Sequence, residues 1–488
     1  MQCVDAGPTQ ALFGSEKTRR IEQLQSQTLA PHTLMQRAGA AVARLAMAVA
    51  PHAQDIWLAC GPGNNGGDGL QAAVLLQAWG KRCHVSWAGS GANMSPDTAQ
   101  AWEQAQGAGV HWCDGLADVS AEVGLCIDAM LGLGSHGRPI EGLMAQWIDQ
   151  IQNQKAPVLA VDLPTGLNPD TGALNNRAVR ASHTLSLLTL KPGFFTAHGK
   201  DQAGVVWLDT LRDPLDTPTP LPTPDAYLLG APPLTQRLHA SHKGSYGDVA
   251  IVGGASGMAG AAVLAASAAL HAGAGRVYVS LLGGDASAYD PNQPELMFRA
   301  LADLSLSAMA VVCGCGAGPQ ALAAVQAVLP ASRSLVLDAD ALNAIAAEPT
   351  LVQSLQARAT AGAASVVTPH PLEAARLLAC STAQVQQDRL SAAARLAELL
   401  QCCVVLKGSG TVVCAPGQTP QICPTGNASL ASGGTGDVLA GLIGARLAQG
   451  MGAWEAACAG VYQHGRLADQ WPAASALSAS ALARALTP

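Results

Sequence analysis

Residues 432–437 read Ser-Gly-Gly-Thr-Gly-Asp and run directly into the apolar stretch 438–444, Val-Leu-Ala-Gly-Leu-Ile-Gly. The glycines let backbone N–H groups approach an anion closely, and a helix start adds the positive end of its dipole. Asp437 would lie beside the bound phosphate, where a carboxylate can take a proton from a hydroxyl. Asp437 could instead act only as a helix N-cap, but a cap requires no glycine-rich run before it. The stretch therefore predicts a phosphoryl-transfer site at the start of a helix.

Length and composition are typical of a compact α/β enzyme with more than one domain. The chain has 488 residues, of which 49% are hydrophobic and 12% charged, and its formal net charge is −7. Because no basic cluster accompanies this charge, we expect no nucleic-acid partner. No apolar run is as long as a membrane span, and the N-terminus lacks the order of a signal peptide. We expect a cytoplasmic homo-oligomer that acts on small molecules and does not bind membranes.

The cysteines point to a reducing compartment. There are 13 of them, without a C-x-x-C pair, and most lie in apolar runs, as Cys60, Cys126, Cys402 and Cys403 do. We therefore expect reduced, buried thiols.

A proline-rich segment divides the chain. Residues 216–232 favour an extended connector over helix or central strand, which predicts domains over 1–215 and 233–488. On both sides, short β-rich runs alternate with Ala- and Leu-rich helical stretches, and this pattern predicts two α/β domains with parallel sheets. The predicted strands are 55–60, 84–88, 125–128, 158–162 and 183–188 in the first half, and 249–253, 276–280, 310–313, 335–338, 365–368 and 403–407 in the second.

A glycine-rich segment, 61–69, follows the first of these strands and precedes a predicted helix over 70–79. It contains a formal G-x-G-x-x-G pattern, which at a strand-to-helix turn is typical of dinucleotide binding. A dehydrogenase also needs an acid at the end of the next strand to hold the ribose, and no Asp or Glu occurs between Asp68 and Asp97. The pattern therefore disfavours a dehydrogenase.

Polar side chains follow three strands of the first half. Asn64, Asn65 and Asp68 lie in the glycine-rich segment, while Asp128 and Asp162 end two later strands. Because ligands of open α/β sheets bind outside the carboxyl ends of strands, we expect these side chains to share one crevice. Their oxygen atoms suit a hard cation or sugar hydroxyls. Helix caps and turns are the alternative role for each single residue.

The same segments carry a family resemblance. Residues 63–69 (Gly-Asn-Asn-Gly-Gly-Asp-Gly), 128–132 (Asp-Ala-Met-Leu-Gly) and 162–166 (Asp-Leu-Pro-Thr-Gly) resemble the signature loops of the NAD(P)H-hydrate epimerases, the N-terminal domain of the YjeF type. Residues 34–39 and 190–193 resemble two further stretches, so the likeness spans roughly 10–210.

The resemblance implies a Rossmann-like domain and a set of site residues. By this likeness Asp162 is the acid/base residue, and K⁺ is coordinated by Asn65, Asp128 and Thr165. The hydrated nucleotide would be held by Asp162 together with Asn64, Asn65, Gly66, Gly67, Asp68, Gly132, Leu133, Gly134, Ser135, His136, Gly137 and Arg138. The chain departs from the family pattern in three places. Thr165 replaces a usual Ser, Leu163 a usual Ile and Gln36 a usual Glu.

The second half has its own sequence of glycine-rich and polar turns. These turns follow predicted strands at 253–262, 313–318, 338–343, 368–373 and 406–411, ahead of the segment that ends at Asp437. No Walker A pattern is present, which excludes a P-loop NTPase. Single residues such as His370 and Lys243 could equally be a loop-forming histidine and a solvated lysine.

The order of these turns resembles the ribokinase-like superfamily, and within it the ADP- or ATP-dependent NAD(P)H-hydrate dehydratases. Residues 242–247, 257–261, 368–371, 407–411 and 433–437 carry the likeness, over roughly 230–488. It implies that the adenine nucleotide is held by Lys407, Gly408, Ser409, Gly410, Thr411 and Gly436, and that the hydrated substrate faces Ala261, Gly316, His370 and Asp437. Two positions depart from the pattern: Cys315 stands where Pro is usual, and Leu372 where Gly is usual.

Together the two resemblances imply a bifunctional NAD(P)H-hydrate repair enzyme. It would interconvert the R and S hydrates and then dehydrate the S form with ADP and Mg²⁺, releasing AMP and phosphate. A vitamin or sugar kinase with a fused ligand-binding domain is the first alternative, because a glycine-Asp turn alone does not separate phosphorylation from phosphorylation followed by elimination. A non-catalytic ligand-binding or protein-interaction module in the first half is the second.

Overall fold

The computed structural model describes residues 1–89, 94–119, 122–134, 137, 139–216, 220–233, 237–284 and 290–488. The chain splits into two compact units. The first comprises Met1–Asp5 and Ala11–Ala226, and the second comprises Ala6–Gln10 and Tyr227–Pro488.

The chain up to Asp209 alternates strands and helices. The strands are β1 (Gln2–Cys3), β2 (Gln10–Leu12), β3 (Asp55–Cys60), β4 (Arg82–Trp87), β5 (His111–Trp112), β6 (Leu125–Ala129), β7 (Val158–Val161), β8 (His183–Leu187) and β9 (Val205–Asp209). The helices are α1 (Ser15–Ser26), α2 (Thr33–Val49), α3 (Asn64–Ala78), α4 (Pro96–Gly107), α5 (Gly142–Gln152) and α6 (Gly199–Ala203).

The sheet of the first unit has the strand order β1-β9-β8-β7-β6-β3-β4-β5. Its pairings are parallel apart from β1 with β9. Both faces are buried: Ile56 and Leu58 of β3 pack in one core cluster with α2, α3 and α4, whereas Trp57 packs in another with α5. This two-sided burial is why the strands read as continuous apolar runs.

Helix α3 begins at Asn64, six residues before the predicted start at residue 70, so the prediction of a long glycine-rich loop was wrong. Glycine is a poor helix former, but close packing against the strand ends favours a helix at this position. A Cβ on Gly66 would lie 1.8 Å from the Gly61 carbonyl oxygen, and one on Gly69 would lie 2.5 Å from the Ala129 Cβ. The glycines therefore let the first turns of the helix press against the ends of β3 and β6.

The second unit contains the remaining elements. The strands are β10 (Ala226–Leu228), β11 (Asp248–Gly253), β12 (Arg276–Leu281), β13 (Met297–Phe298), β14 (Ala310–Cys313), β15 (Ser334–Leu337), β16 (Ala364–Val367), β17 (Cys403–Leu406), β18 (Val412–Cys414) and β19 (Gln421–Ile422). The helices are α7 (Ala259–His271), α8 (Ala321–Ala331), α9 (Asp340–Ala347), α10 (Pro349–Thr360), α11 (Pro371–Leu377), α12 (Thr382–Gln387), α13 (Arg389–Leu400), α14 (Thr435–Ala448), α15 (Ala453–Asp469) and α16 (Ala479–Ala485).

Its sheet runs β13-β12-β11-β14-β15-β16-β17-β18-β19-β10. The central strands from β12 to β17 pair in parallel, and β18 is antiparallel to both of its neighbours. Separate core clusters cover the two faces, one with α7, α14 and α15 and the other with α8 to α13. The predicted α/β class, with a mainly parallel sheet in each half, is confirmed.

All eleven predicted strands are present, with bounds within two residues of the prediction. The strands that the sequence did not reveal are two to five residues long and lie mostly at sheet edges; one of them, β10, falls inside the predicted linker. The four cysteines expected to be buried thiols are buried and free. Among the described residues, none of the helices is both long and apolar enough to cross a membrane.

Candidate active sites

The second unit gathers several polar side chains at one edge of its sheet. Strands β14, β15, β16 and β17 are consecutive and parallel, so their carboxyl ends lie side by side. Cys315, Asp338, His370 and Lys407 come one to three residues after these four strand ends. This is the edge where open α/β sheets bind ligands.

Helix α14 brings Asp437 to the same place. The helix begins at Thr435, and its N-cap is Gly434, with φ of 90° and no side-chain cap. Asp437 is therefore the third helical residue rather than the cap, which removes the purely local role considered for it. The positive φ explains why glycine occupies the cap. N–H groups in the first turn of a helix lack intrahelical acceptors, so they can donate hydrogen bonds to an anion.

Charged side chains lie close together at this edge of the sheet and shift one another's pKa. Lys407 Nζ lies 2.6 Å from Asp338 Oδ1, and a Cβ on Gly436 would lie 3.3 Å from the same Nζ. Burial opposes the charge of Lys407, but Asp338 and Glu373 raise its pKa. Burial, followed by the charge of Asp338, raises the pKa of Asp437 to about 6. A carboxylate with this pKa is suited to take up a proton near neutral pH.

Hydrogen bonds at the start of α11 orient the ring of His370. It is the N-cap of α11, and its Nδ1 accepts the N–H groups of Leu372 and Glu373 at 3.1 and 3.3 Å. Its Nε2 lies 3.1 Å from Glu373 Oε1. Because Nδ1 accepts, Nε2 carries the proton. Burial lowers the pKa of His370 and raises that of Glu373 to about 7.

The predicted nucleotide-binding segment 407–411 is the turn of the β17–β18 hairpin. Gly408 has φ of 130° and Gly410 has φ of 62°, conformations that favour glycine. The buried Arg389 holds the turn from behind, since its Nη2 donates to the carbonyl oxygens of Leu406 and Lys407, each at 3.1 Å.

The first unit contains a cavity of about 750 Å³ at the carboxyl end of its sheet. Its walls come from α1, the start of α2, the first turn of α3 and the turns after β6, β7 and β8. Of the predicted residues, the following line it: Asn64, Asn65, Asp68, Gly132, Leu133, Gly134 and Asp162. The expected crevice is therefore present, but Asp128, which was expected to share it, is fully buried and does not line it.

Asp162 is tightly held in this cavity. Its φ of 61° is unusual for a residue other than glycine, and such strain is often found at functional sites. The carboxylate is ion-paired with Lys191, whose side chain is fully buried, and accepts the Leu187 N–H at 3.1 Å. Lys191 also donates to Leu187 O at 2.9 Å and to Ser186 Oγ at 3.1 Å. Asp162 therefore has a fixed orientation and a dedicated counter-charge.

Two further carboxyl groups line the cavity near Asp162. Burial, followed by the charge of Asp162, raises the pKa of Glu22. The same two causes, in the same order, raise the pKa of Asp68 well above its ordinary value. The cavity thus places two carboxyl groups that hold a proton more readily than usual near a lysine-paired carboxylate, an arrangement that suits acid and base roles.

The residues proposed for K⁺ fit a hard cation. Asn65 has a buried side chain whose Oδ1 and Nδ2 have no hydrogen-bond partner among the described residues. A Cβ on Gly132 would lie 3.3 Å from Asn65 Oδ1, and the neighbouring Leu131 N–H donates to Thr165 Oγ1 at 3.0 Å. Thr165 Oγ1 in turn lies 2.7 Å from the fully buried Asp128 carboxylate. An orphaned amide oxygen costs about 1–3 kcal/mol, which an ion would offset.

Comparisons with known proteins match both halves of the chain. Residues 249–487 match the family model described as NAD(P)H-hydrate dehydratase, and residues 31–193 match that of the YjeF-related protein N-terminus. The bifunctional NAD(P)H-hydrate repair enzyme Nnr of Escherichia coli is 37% identical, over 90% of this chain and 85% of its own length. The corresponding protein of Coxiella burnetii is 34% identical, over 94% of each chain. The chain belongs to the family of bifunctional NAD(P)H-hydrate repair enzymes.

Two solved structures are each similar to about half of this family member. An ADP/ATP-dependent NAD(P)H-hydrate dehydratase from Bacillus subtilis, co-crystallised with ATP/Mg²⁺, is 29% identical, covering 52% of this chain and 92% of its own, with a TM-score of 0.42. A ribokinase-like superfamily protein from Enterococcus faecalis is 26% identical, with a TM-score of 0.43, and covers 52% of this chain and 89% of its own.

Of the residues predicted to hold the hydrate in the first unit, three that the structure describes do not line the cavity. Gly66 and Gly67 are buried in the packing of α3 and are absent from the cavity wall. Exposed Gly137 is also absent from that wall, and Ser135, His136 and Arg138 lie outside the described residues. In the second unit, a Cβ on Gly316 would lie 2.9 Å from the Ala261 Cβ, so these two predicted substrate contacts adjoin.

Several polar residues of the two sites were missed. Glu22 lines the first cavity, and the fully buried Lys191 is ion-paired with Asp162 of its wall. In the second unit, Asp338 pairs with Lys407 and Glu373 lies beside His370. Asp338 is the last residue of a predicted strand, a signal that could have placed it at the edge of the sheet. Glu22 lies mid-helix in α1 and carried no such signal.

The proposed cation site allows a test with two adjacent asparagines. We expect Asn65→Ala to need about tenfold more KCl for half-maximal epimerisation, a loss of about 1.4 kcal/mol in ion binding. Asn64→Ala is the matched control, because Asn64 is exposed and already accepts hydrogen bonds from Ser95 and Thr98 at 2.6 and 3.2 Å. Epimer exchange is measured by NMR against KCl, with choline chloride holding ionic strength constant. An equal change in both variants, or no response to KCl in the unsubstituted enzyme, contradicts the K⁺ assignment.

Proposed function

We propose that this chain repairs hydrated nicotinamide nucleotides in two steps. The first unit interconverts (R)- and (S)-NAD(P)H hydrate, and the second dehydrates the S form with ADP, releasing NAD(P)H, AMP and phosphate. The observation that carries the second activity is the position of Asp437 in the first turn of α14, beside the Lys407–Asp338 ion pair and the Cys315 turn. Membership of the repair-enzyme family supports both activities.

In the dehydration step, Asp437 takes the proton of the C6 hydroxyl while that oxygen attacks the terminal phosphorus of ADP. The bond from this phosphorus to the bridging oxygen breaks, and AMP leaves. N–H groups at the start of α14 stabilise the charge on the transferred phosphoryl group. Mg²⁺ accompanying the nucleotide would neutralise part of the phosphate charge. The ring nitrogen lone pair then expels phosphate from C6, and loss of a ring proton restores the dihydropyridine.

In the epimerisation step, the cavity of the first unit provides groups for moving a proton to and from the C6 oxygen. Protonation of that oxygen lets it leave as water, with the ring nitrogen lone pair assisting. Return of water to the opposite face, with loss of a proton to a carboxylate, gives the other epimer. Asp162, oriented by Lys191, is the proposed base, and Glu22, whose pKa is raised by burial and by Asp162, is the proposed acid.

The remaining ligand assignments are part of the same proposal. Asn64, Asn65 and Asp68 with residues 132–138 hold the hydrate in the first unit, and Asn65, Asp128 and Thr165 hold K⁺. Ala261, Gly316 and His370 face the hydrate in the second unit, while 407–411 and Gly436 hold the nucleotide. A cytoplasmic location, assembly into a homo-oligomer and a domain boundary near residues 216–232 stay predictions.

The decisive experiment adds ADP, ATP or no nucleotide to hydrated NADH and follows the return of NADH absorbance. We expect recovery with ADP, with one AMP and one phosphate formed for each NADH. A stable phosphorylated hydrate without NADH would identify a kinase instead. Failure of the first-unit cavity variants to alter epimer exchange would make that unit a binding module.

A further inference from the structure

Cys315, one of the two residues that depart from the dehydratase pattern, lies in a glycine-flanked turn. It follows β14 between Gly314, with φ of 119°, and Gly316, with φ of 60°. Its carbonyl oxygen accepts the Gly254 N–H at 2.9 Å, and a Cβ on Gly253 would lie 2.3 Å from that oxygen. The side chain is fully buried. The backbone therefore holds the thiol in one place.

The Cys315 thiol lies close to Asp437, the proposed base. Cys315 Sγ and carboxylate oxygens of Asp338 and Asp437 all lie within 4.8 Å of one another. At this separation the buried S–H group is placed to donate to the Asp437 carboxylate, which can only accept. Burial, with the charges of Asp437 and Asp338, raises the pKa of Cys315 well above its ordinary value. The thiol therefore keeps the proton that it donates.

We propose that Cys315 is a positioning residue for the dehydration reaction: its S–H group holds one oxygen of Asp437 and leaves the other to accept the substrate proton. Proline, which the family pattern has at this position, offers no side-chain donor. The S–H donor is therefore a feature of this chain and not of the dehydratase family pattern. The inference rests on the proposed role of Asp437 as the base.

The charged and titratable groups around Asp437 predict how loss of the thiol changes the reaction. Asp338 and Asp340 raise the pKa of Asp437, whereas Lys407 and the Cys315 hydrogen bond lower it. Removing the thiol removes one lowering contribution, so the carboxylate protonates at higher pH. Because the base must be unprotonated, the acid limb of the kcat/KM profile moves upward with it.

The test compares pH profiles of ADP-dependent dehydration for the unsubstituted enzyme, Cys315→Ala and Cys315→Ser. Because a hydrogen bond to a charged group is lost, and the thiol is a weak donor, we expect Cys315→Ala to shift the acid limb upward by about 0.5–1 pH unit. Cys315→Ser keeps an O–H donor and should retain the original limb. An unchanged limb in Cys315→Ala, or equal shifts in both variants, overturns the proposal.

Two further measurements separate a positioning role from a packing defect. Epimer exchange in the same samples reports on the first unit and should be unchanged. Cys315→Pro, which restores the family residue, should show the shifted limb of Cys315→Ala even if the alanine variant folds poorly. A Cys315→Pro limb identical to that of the unsubstituted enzyme overturns the proposal. Asp437→Asn separates the role of Asp437 as the base from the role of Cys315 in positioning it. If Asp437→Asn still dehydrates the hydrate, the base assignment has failed. If it is inactive, the pH profiles of the Cys315 variants test the thiol alone.

Discussion

Asp437→Asn is expected to lower ADP-dependent recovery of NADH by about 10²–10⁴-fold, the usual contribution of a positioned general base. Asparagine is nearly isosteric with aspartate but cannot take the hydroxyl proton. The helix should be unaffected, since its N-cap is Gly434 and not Asp437. The rate of NADH absorbance recovery at saturating hydrate and ADP measures the loss.

The same chain supplies the control for this variant. Epimer exchange in the first unit should continue at the unsubstituted rate, and melting temperature should show that the second unit is folded. In the unsubstituted enzyme, recovery should decline as pH falls through about 6, where burial and Asp338 place the pKa of Asp437. Near-normal recovery by Asp437→Asn would assign the proton transfer to another group.

Asp162→Asn is expected to abolish enzymatic epimerisation and to leave dehydration intact. Asparagine tolerates positive φ, so it suits the 61° of this position. With a mixture of hydrates, we expect the unsubstituted enzyme to recover all the NADH. The variant should recover the S fraction rapidly and the R fraction only at the spontaneous rate. The amplitude of the fast phase therefore reports the lost activity.

The buried lysine requires a second variant in this experiment. Removing the carboxylate leaves the charge of Lys191 buried without a partner, which is costly. Asp162→Asn combined with Lys191→Met removes both charges and should raise the melting temperature above that of the single variant. Epimerisation should stay absent in both. Restored exchange in the stabilised double variant would show that Asp162 is structural.

The strands were predictable because each has a buried apolar run and a following turn. Asp128, Asp162 and Asp437 could be placed at strand ends or a helix start from the pattern alone. The start of α3 could not, since glycine propensity indicates a loop and only close packing against Gly61 and Ala129 favours a helix there.

The sequence by itself determined two α/β folds with mainly parallel sheets, the strands that build them and the motifs that carry the chemistry. Local apolar periodicity and glycine spacing are sufficient for these. Only the tertiary structure decided the environment of each group: the pairing of Asp162 with Lys191, the unpartnered Asn65 and the thiol of Cys315 against Asp437. Along the sequence, Lys191 lies 29 residues after Asp162 and Asp437 lies 122 residues after Cys315. Gly132, which adjoins Asn65, lies 67 residues after it. Parallel strands bring such distant residues to one edge, and burial there sets their charge states, which local sequence does not encode.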